Sequence, residues 1–529
     1  MSKNTISTTT YLPSPTMGVD WTVPENRVEL PFSPFLYNWV ADGRGVGQKI
    51  GDTHLLAPAA PAGAIYSFEA GNALILSTTT TNQITWPGSG ADTAIAAGPV
   101  VVNDYVNYNG YIFLAGTTNS PSWDGTTYNA TAFNGQTGGS QAFCTIFRNR
   151  YVQGQGTSLW YAPSAGALSG VLIELSLASF IREGAIAGVA AMSALDDLNV
   201  QDYLMVITTG GDVLFFQGDF PSSANWQLVV HKKMPLTLGN EDTISCYEYA
   251  GDAYILVSNP CACITASQLL QVGYQEAEKA SILSRVLPKL KRSESILVSM
   301  AFLRKRNIAL VMVEETRANR DSVWSGFLPY AQPTLGYSTL FYYILCVDLF
   351  SGAISVIDAK DYVPYFPVVS NKRRGLKTCF IGHSDGNVYM LSANGTLVYA
   401  VGEWDNYAVT PTNGDVLRWP YSPLGNSDMN KVINMAYLDI AIPEISNTAT
   451  SGKVELGISG TFDFTRSGTP SVFNYIVDLE SSNITIQRSK STFSGTGFYV
   501  SPSIYDGEGV IPGLEVQGIS LQHTNGGPL

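Results

Sequence analysis

Charge is what this chain has least of. Only 14% of its 529 residues are Asp, Glu, Lys or Arg, and the formal net charge is −13. That excludes a polycationic nucleic-acid binder, which grips phosphates through a dense Lys/Arg surface. A weakly charged, acidic surface has two readings: ordinary solubility, or repulsion of a polyanion that must slide past without sticking. Histidine is equally scarce, with four residues (His54, His231, His383 and His523) and neither an HExxH nor a His-x-His pair. The six cysteines are scattered through apolar runs and read as buried free thiols of a protein made in a reducing cytosol. Cys261-Ala-Cys263 stands without a second pair or a nearby histidine, a poor metal site, so neither metal nor cofactor is expected. The segment MSKNTISTTTYLPSP lacks the apolar core of a secretory signal. No run reaches the roughly 18 apolar residues of a membrane helix, so no membrane insertion is expected.

What the chain does have is turns between short apolar runs. Its 50 glycines suit a β-rich protein better than a helical one. In DYLMVITTGGDVLFFQGDF (Asp202–Phe220), two β-branched and aromatic runs flank Gly210-Gly211-Asp212, a hairpin signal. ISCYEYAGDAYILVSN repeats the device around Gly251-Asp252, and earlier hairpins centre on Asn109-Gly110 and on Arg148–Arg150. The repeat opens near Ile65, Val106, Phe143, Val200, Ile244, Ile296 and Leu376. Several strands per unit at a spacing of about 40–50 residues is the pattern of a β-propeller, whose blades need neighbours to cover their faces. The unequal spacing points to insertions and leaves six to eight blades. An array of plain β-sandwiches is the alternative.

The fold class expected is therefore all-β. An N-terminal arm and anchoring segment occupies 1–60, with VELPFSPFLYNWV (Val28–Val40) as the anchor. An irregular β-propeller occupies 61–425, interrupted by a short helical segment at 265–293 and a loop at 316–343. A C-terminal β-sandwich-like domain occupies 426–529, where strands of alternating pattern such as KVELGISGTFDFT follow one another. The basic end of the helical segment (Lys289, Lys291, Arg292) reads as a solvated face or an inter-subunit contact.

Catalytic readings find little support. Gly382-His383-Ser384-Asp385-Gly386 fits GxSxG, but a nucleophile elbow leads into a helix, whereas NVYMLS reads as a strand. The pairs Asp196-Asp197 and Glu314-Glu315 are adjacent, so on a strand their members face opposite ways. A glycosidase needs two carboxylates facing one bond. The chain is accordingly expected to be non-enzymatic, with a carbohydrate-binding or carbohydrate-cleaving propeller as the alternative. Trp123, Trp160, Trp226 and Trp324 would be its stacking platforms; burial within blades is the competing reading. Two basic clusters, Arg304-Lys305-Arg306 and Lys372-Arg373-Arg374, are candidate contacts to DNA or to an acidic neighbour, each against the plainer reading of a solvated tip.

Four segments carry a resemblance to a known family. They are RNRYVQGQGTSLWYAPSAG (Arg148–Gly166); DYLMVITTGGDVLFFQGDF; ISCYEYAGDAYILVSN followed by KASILSRVLPKL; and NIALVMVEE leading to YYILCVDLFSGAISV. Over residues 140–400 the chain resembles the hub or nozzle proteins of short (podovirus-like) bacteriophage tails, also called tail accessory or packaged-DNA stabilisation proteins. It departs where the family often ends a strand on Trp, since Ile354-Ser355-Val356 stands there instead, and its first 60 residues do not follow the pattern. The resemblance implies a structural virion protein, made in the host cytoplasm and placed in the tail. It would form a ring, a homohexamer, below the portal and the head-to-tail adaptor, and would contact fibre, spike or needle proteins. Double-stranded DNA would be retained behind it and pass through it at ejection. The region 322–343 and the loops between blades would supply gate or fibre contacts.

Overall fold

The computed structural model describes residues 7–23, 27–37, 39–41, 46–47, 53–56, 64–68, 73–77, 81–85, 93–96, 104–137, 141–196, 199–235, 244–258, 261–303, 307–316, 340–358, 379–382, 388–393, 396–397, 416–425, 427–441, 453–463, 473–478, 486–491, 495–508 and 515–525. These residues are mostly β and form eight small, mainly antiparallel sheets, with three short helices.

Seven sheets follow the chain: 64–96, 104–134 (joined by Gly170–Val171), 142–176, 186–233, 244–265, 296–358 and 379–397. They are numbered first to seventh below. From the second sheet onward, the first strand of each lies against the first strand of the next. The fourth sheet shows why the strands read as unbroken apolar runs rather than alternating ones. Leu204, Met205, Val206 and Ile207 are all 0% exposed. Leu204, Val206, Leu214 and Phe216 pack with Val152, Leu159 and Tyr161 of the third sheet. Met205, Ile207, Val213 and Phe215 pack with Ile244, Ile255 and Ile264 of the fifth. A sheet covered on both faces buries successive residues, and each such side chain contributes about 1.5–3 kcal/mol relative to exposure.

The expected opening of this sheet at Val200 is corrected by one strand. It begins at Ile186–Asp196, and Asn199–Thr208 is its second strand. The sequence IAGVAAMSALD is weak as a strand by propensity. Its small residues admit the neighbouring sheets instead: a Cβ on Gly188 would lie 2.6 Å from Cys246 Sγ.

Two-residue turns link the first and second strands of three sheets. Asn109-Gly110, Arg148-Asn149 and Ala250-Gly251 all have positive φ at both positions, the backbone that matches strand twist in tight hairpins. Asn and Gly tolerate it; Arg148 and Ala250 hold it against their preference.

The sixth sheet does not end where its own segment does. Its last strand, Ile354–Asp358, pairs in parallel with Phe35–Tyr37, which pairs with Val416–Arg418. Val500–Glu508, Lys453–Phe462 and Phe473–Asp478 extend the sheet to nine strands. The eighth sheet unites the two ends of the chain: Glu515–Asn525 is flanked by Lys431–Ala441 on one side and by Ser7–Pro13 and Val46–Gly47 on the other. Leu417, Ile458, Val500 and Ile504 share one core with Ile433, Leu438, Ile519 and Leu521 of the eighth sheet.

The helices Ala266–Gln271 and Tyr274–Lys279 follow the fifth sheet and pack on the core it shares with the fourth, while Leu287–Arg292 shares a core with Trp21 of the N-terminal segment. Lys289 Nζ sits 4.0 Å over the Trp21 ring, and Arg285 sits 4.0 Å over Phe32. Lys291 pairs with Glu278 at 2.6 Å. Lys289 and Lys291 are thus engaged within the chain, while Lys291 and Arg292 stay exposed, as a solvated face would have them.

Candidate functional site

The best-defined polar constructions run along the first strands of successive sheets. Tyr108, ending the first strand of the second sheet, donates to the Asn149 carbonyl oxygen at 3.1 Å and also to its Oδ1, in the third. Tyr249 of the fifth donates to Asn307 Oδ1 of the sixth at 3.1 Å. Between them, Arg148 reaches Asp202 at 3.3 Å and the Ser193 amide donates to the Gly251 carbonyl at 2.7 Å. The turn-bearing end of the second to sixth sheets is therefore tied from each sheet to the next.

Asp104 and Glu248 do the same deeper inside, whereas Glu315 and Asp212 bond within the sixth and fourth sheets. Asp104 Oδ2 accepts from the Cys144 amide at 2.9 Å, linking second and third sheets. Glu248, only 4% exposed, accepts from the Ala191 amide at 2.8 Å and from the Thr145 hydroxyl. Glu315, also buried, accepts from Ser295 Oγ at 2.7 Å and Tyr343 Oη at 2.9 Å. Burial, and then the Glu315 charge, push the Tyr343 hydroxyl well above its usual range. Asp212 accepts the amides of Arg182 and Glu183 and meets His231 Nε2 at 3.0 Å. Burial opposes the Asp212 charge, but His231 and the two amides outweigh it and hold its pKa below the ordinary value.

Asp104, Asp212 and Glu248 were not singled out as candidate sites in the sequence, and Glu315 was weighed only as half of the Glu314-Glu315 pair. The signal was present: an isolated acid inside an apolar strand, as in ISCYEY or DVLFFQ, is costly to bury unless bonded.

Arg304, Lys305 and Arg306 lie outside the described residues, between the strands Ile296–Leu303 and Ile308–Thr316. Asn307 beside them accepts from Tyr249, and its carbonyl accepts from the Leu349 amide at 2.9 Å. Next to Leu349, Phe350 is 88% exposed at a hairpin tip. Lys372, Arg373 and Arg374, the Ser384 segment, Trp324 and nearly all of region 322–343 also lie outside the described residues. The run after Ser384 is a strand, Val388–Ala393. Trp123 and Trp160 are buried, and Trp226 stacks on Phe216 with ring centroids 5.3 Å apart. Trp123 and Trp160 offer no open face for a sugar ring, and one face of Trp226 is covered by Phe216. Cys261 and Cys263 are buried, and loss of hydration pushes both thiols up to about 12. Among the described residues no three His, Cys, Asp or Glu side chains are grouped to hold a metal ion, and no helix is long and apolar enough to cross a membrane.

No family model matches the chain, and no curated protein is similar to it in sequence. Solved structures that it is similar to include the Pan2 WD40 domain of Neurospora crassa, at 9% identity over 64% of this chain and 94% of that one, with a TM-score of 0.34. The Cps50 (Swd1) β-propeller domain of Myceliophthora thermophila is similar at 8% identity over 65% and 100%, with a TM-score of 0.41. An exo-β-1,3-galactanase from Phanerochaete chrysosporium is similar at 11% identity over 80% and 97%, with a TM-score of 0.29.

Proposed function

We propose that the chain is a structural protein of a short phage tail, a ring-forming hub that continues the portal–adaptor channel, retains packaged DNA and passes it at ejection. In this reading the seven consecutive sheets are the blades of a β-propeller. Thr53–Leu56, from the start of the chain, pairs antiparallel with Val388–Ala393, which supplies the seventh sheet from the opposite end as a closed circle requires. The two sheets sharing the Leu417–Ile519 core form the sandwich-like domain.

The observation that carries the functional reading is the strand Phe35–Tyr37 between Ile354–Asp358 and Val416–Arg418. It makes one continuous sheet of the sixth blade and the C-terminal strands. A linker permits relative motion of domains, whereas a shared sheet resists it. A part that must hold pressurised DNA between an adaptor and fibres is served by such rigidity. Six copies, each with a formal charge of −13, would present a surface on which phosphates slide rather than stick. Asp104 and Glu248 are engaged in tying sheets together, which also suits a structural role.

Particles assembled without this protein provide the test. They should package DNA and then lose it, and supplying the protein in trans should restore retention. Full, infectious particles lacking it would overturn the reading.

A further inference from the structure

The strand Ser7–Pro13 lies at an edge of the eighth sheet, with most of its side chains exposed. One of its few inward contacts is Thr10 Oγ1, 3.0 Å from Nε2 of His523. His523 is 1% exposed, and its Nδ1 is buried without a hydrogen-bond partner. An unmet lone pair costs less than an unmet N–H, so we assign the neutral tautomer with its proton on Nε2, donating to Thr10. The neighbouring strand brings Lys431, 2% exposed, whose ammonium donates to the Phe498 carbonyl at 3.4 Å.

We propose that His523 is an acid-operated latch on the strand Ser7–Pro13: neutral, it holds Thr10; protonated beside Lys431, it releases the strand. A proton added at Nδ1 would be a buried donor without an acceptor and a second cation next to Lys431. Both effects act in one direction. Burial, and then the Lys431 charge, hold the His523 pKa below the ordinary histidine value. Asp428 and Asp463 act on Lys431 and partly offset its charge, while Ser7–Pro13 contributes no charged residue. The released state binds the proton more readily than the closed one. The latch therefore holds above about pH 6.5 and weakens as pH falls below it. This device is independent of the assembly in which the chain works.

Hydrogen exchange of the full-length protein tests it, read on peptides covering residues 7–13 and corrected for intrinsic rates. Below the onset, exchange of this strand should accelerate by up to about tenfold per pH unit, the limit for a single proton. Asn199–Thr208 should stay protected. H523Q keeps a donor toward Thr10 without titrating, so its strand should show no such acceleration. K431M should raise the closed-state pKa toward that of an ordinary histidine, so the acceleration should level off at a higher pH and reach a smaller total, and this variant reports even if H523Q does not fold. A wild-type strand indifferent to pH, or parallel acceleration in H523Q, would overturn the latch, as would a total acceleration in K431M as large as in the wild type.

Discussion

Glu248 on the fifth sheet accepts a hydrogen bond from Thr145 on the third, reaching across the strand Ile186–Asp196 that lies between them. The same carboxylate accepts the Ala191 amide of that intervening strand at 2.8 Å. One side chain thus holds the first strands of three successive sheets. The reach is available because the strand between carries Gly188, Ala190 and Ala191 rather than bulky residues.

Removing that carboxylate should be costly. Glu248→Ala leaves the Ala191 amide and the Thr145 hydroxyl without this acceptor, and about 1–3 kcal/mol is expected for each buried group left unmet. Glu248→Gln keeps an acceptor and should lose less. Thermal unfolding of the two variants should rank wild type above Gln and Gln above Ala.

The tyrosine ties make a second pair of predictions. Tyr108→Phe and Tyr249→Phe each remove hydrogen bonding to an asparagine in the next sheet, at about 1 kcal/mol apiece. The two sites share no partner, so the double variant should show the sum of the single losses in denaturant unfolding. Asn149 and Asn307 hold φ of 61 and 56, so Asn→Ala there should cost more than the facing Tyr→Phe through added backbone strain.

Gly518 faces Tyr11 across the edge pair, and a Cβ there would lie 2.5 Å from the Tyr11 hydroxyl. Gly518→Val should displace the ring and free Ser7–Pro13, while the Leu417–Ile519 core remains. Limited proteolysis should then cut within residues 7–13 first.

The thiols at Cys261 and Cys263 should be inert in the native protein. With pKa values near 12, well under 1% of either is thiolate at pH 8. Alkylation followed by mass spectrometry should find both unmodified at pH 8 and both modified after denaturation.

Local signals were read from the sequence more fully than distant ones. Gly210-Gly211-Asp212 and Asn109-Gly110 marked hairpins because turn chemistry is written in two or three residues. The strand Ile186–Asp196 was missed because its small, Ala-rich composition answers to neighbouring sheets, which periodicity cannot show. The pairing of Thr8 with His523, and of Tyr37 with Val356, joins residues hundreds apart, and no local pattern encodes such partners. Of the candidate sites, both basic clusters lie outside the described residues, while the acids that tie sheets together were visible only as anomalies in apolar strands.

Electron microscopy of the particle that contains this protein, labelled with an antibody against residues 426–529, tests the account most directly. We predict label at the end of a short tail, arranged with the symmetry of a ring. Protein that stays soluble and unassembled, associated with no particle, would contradict it.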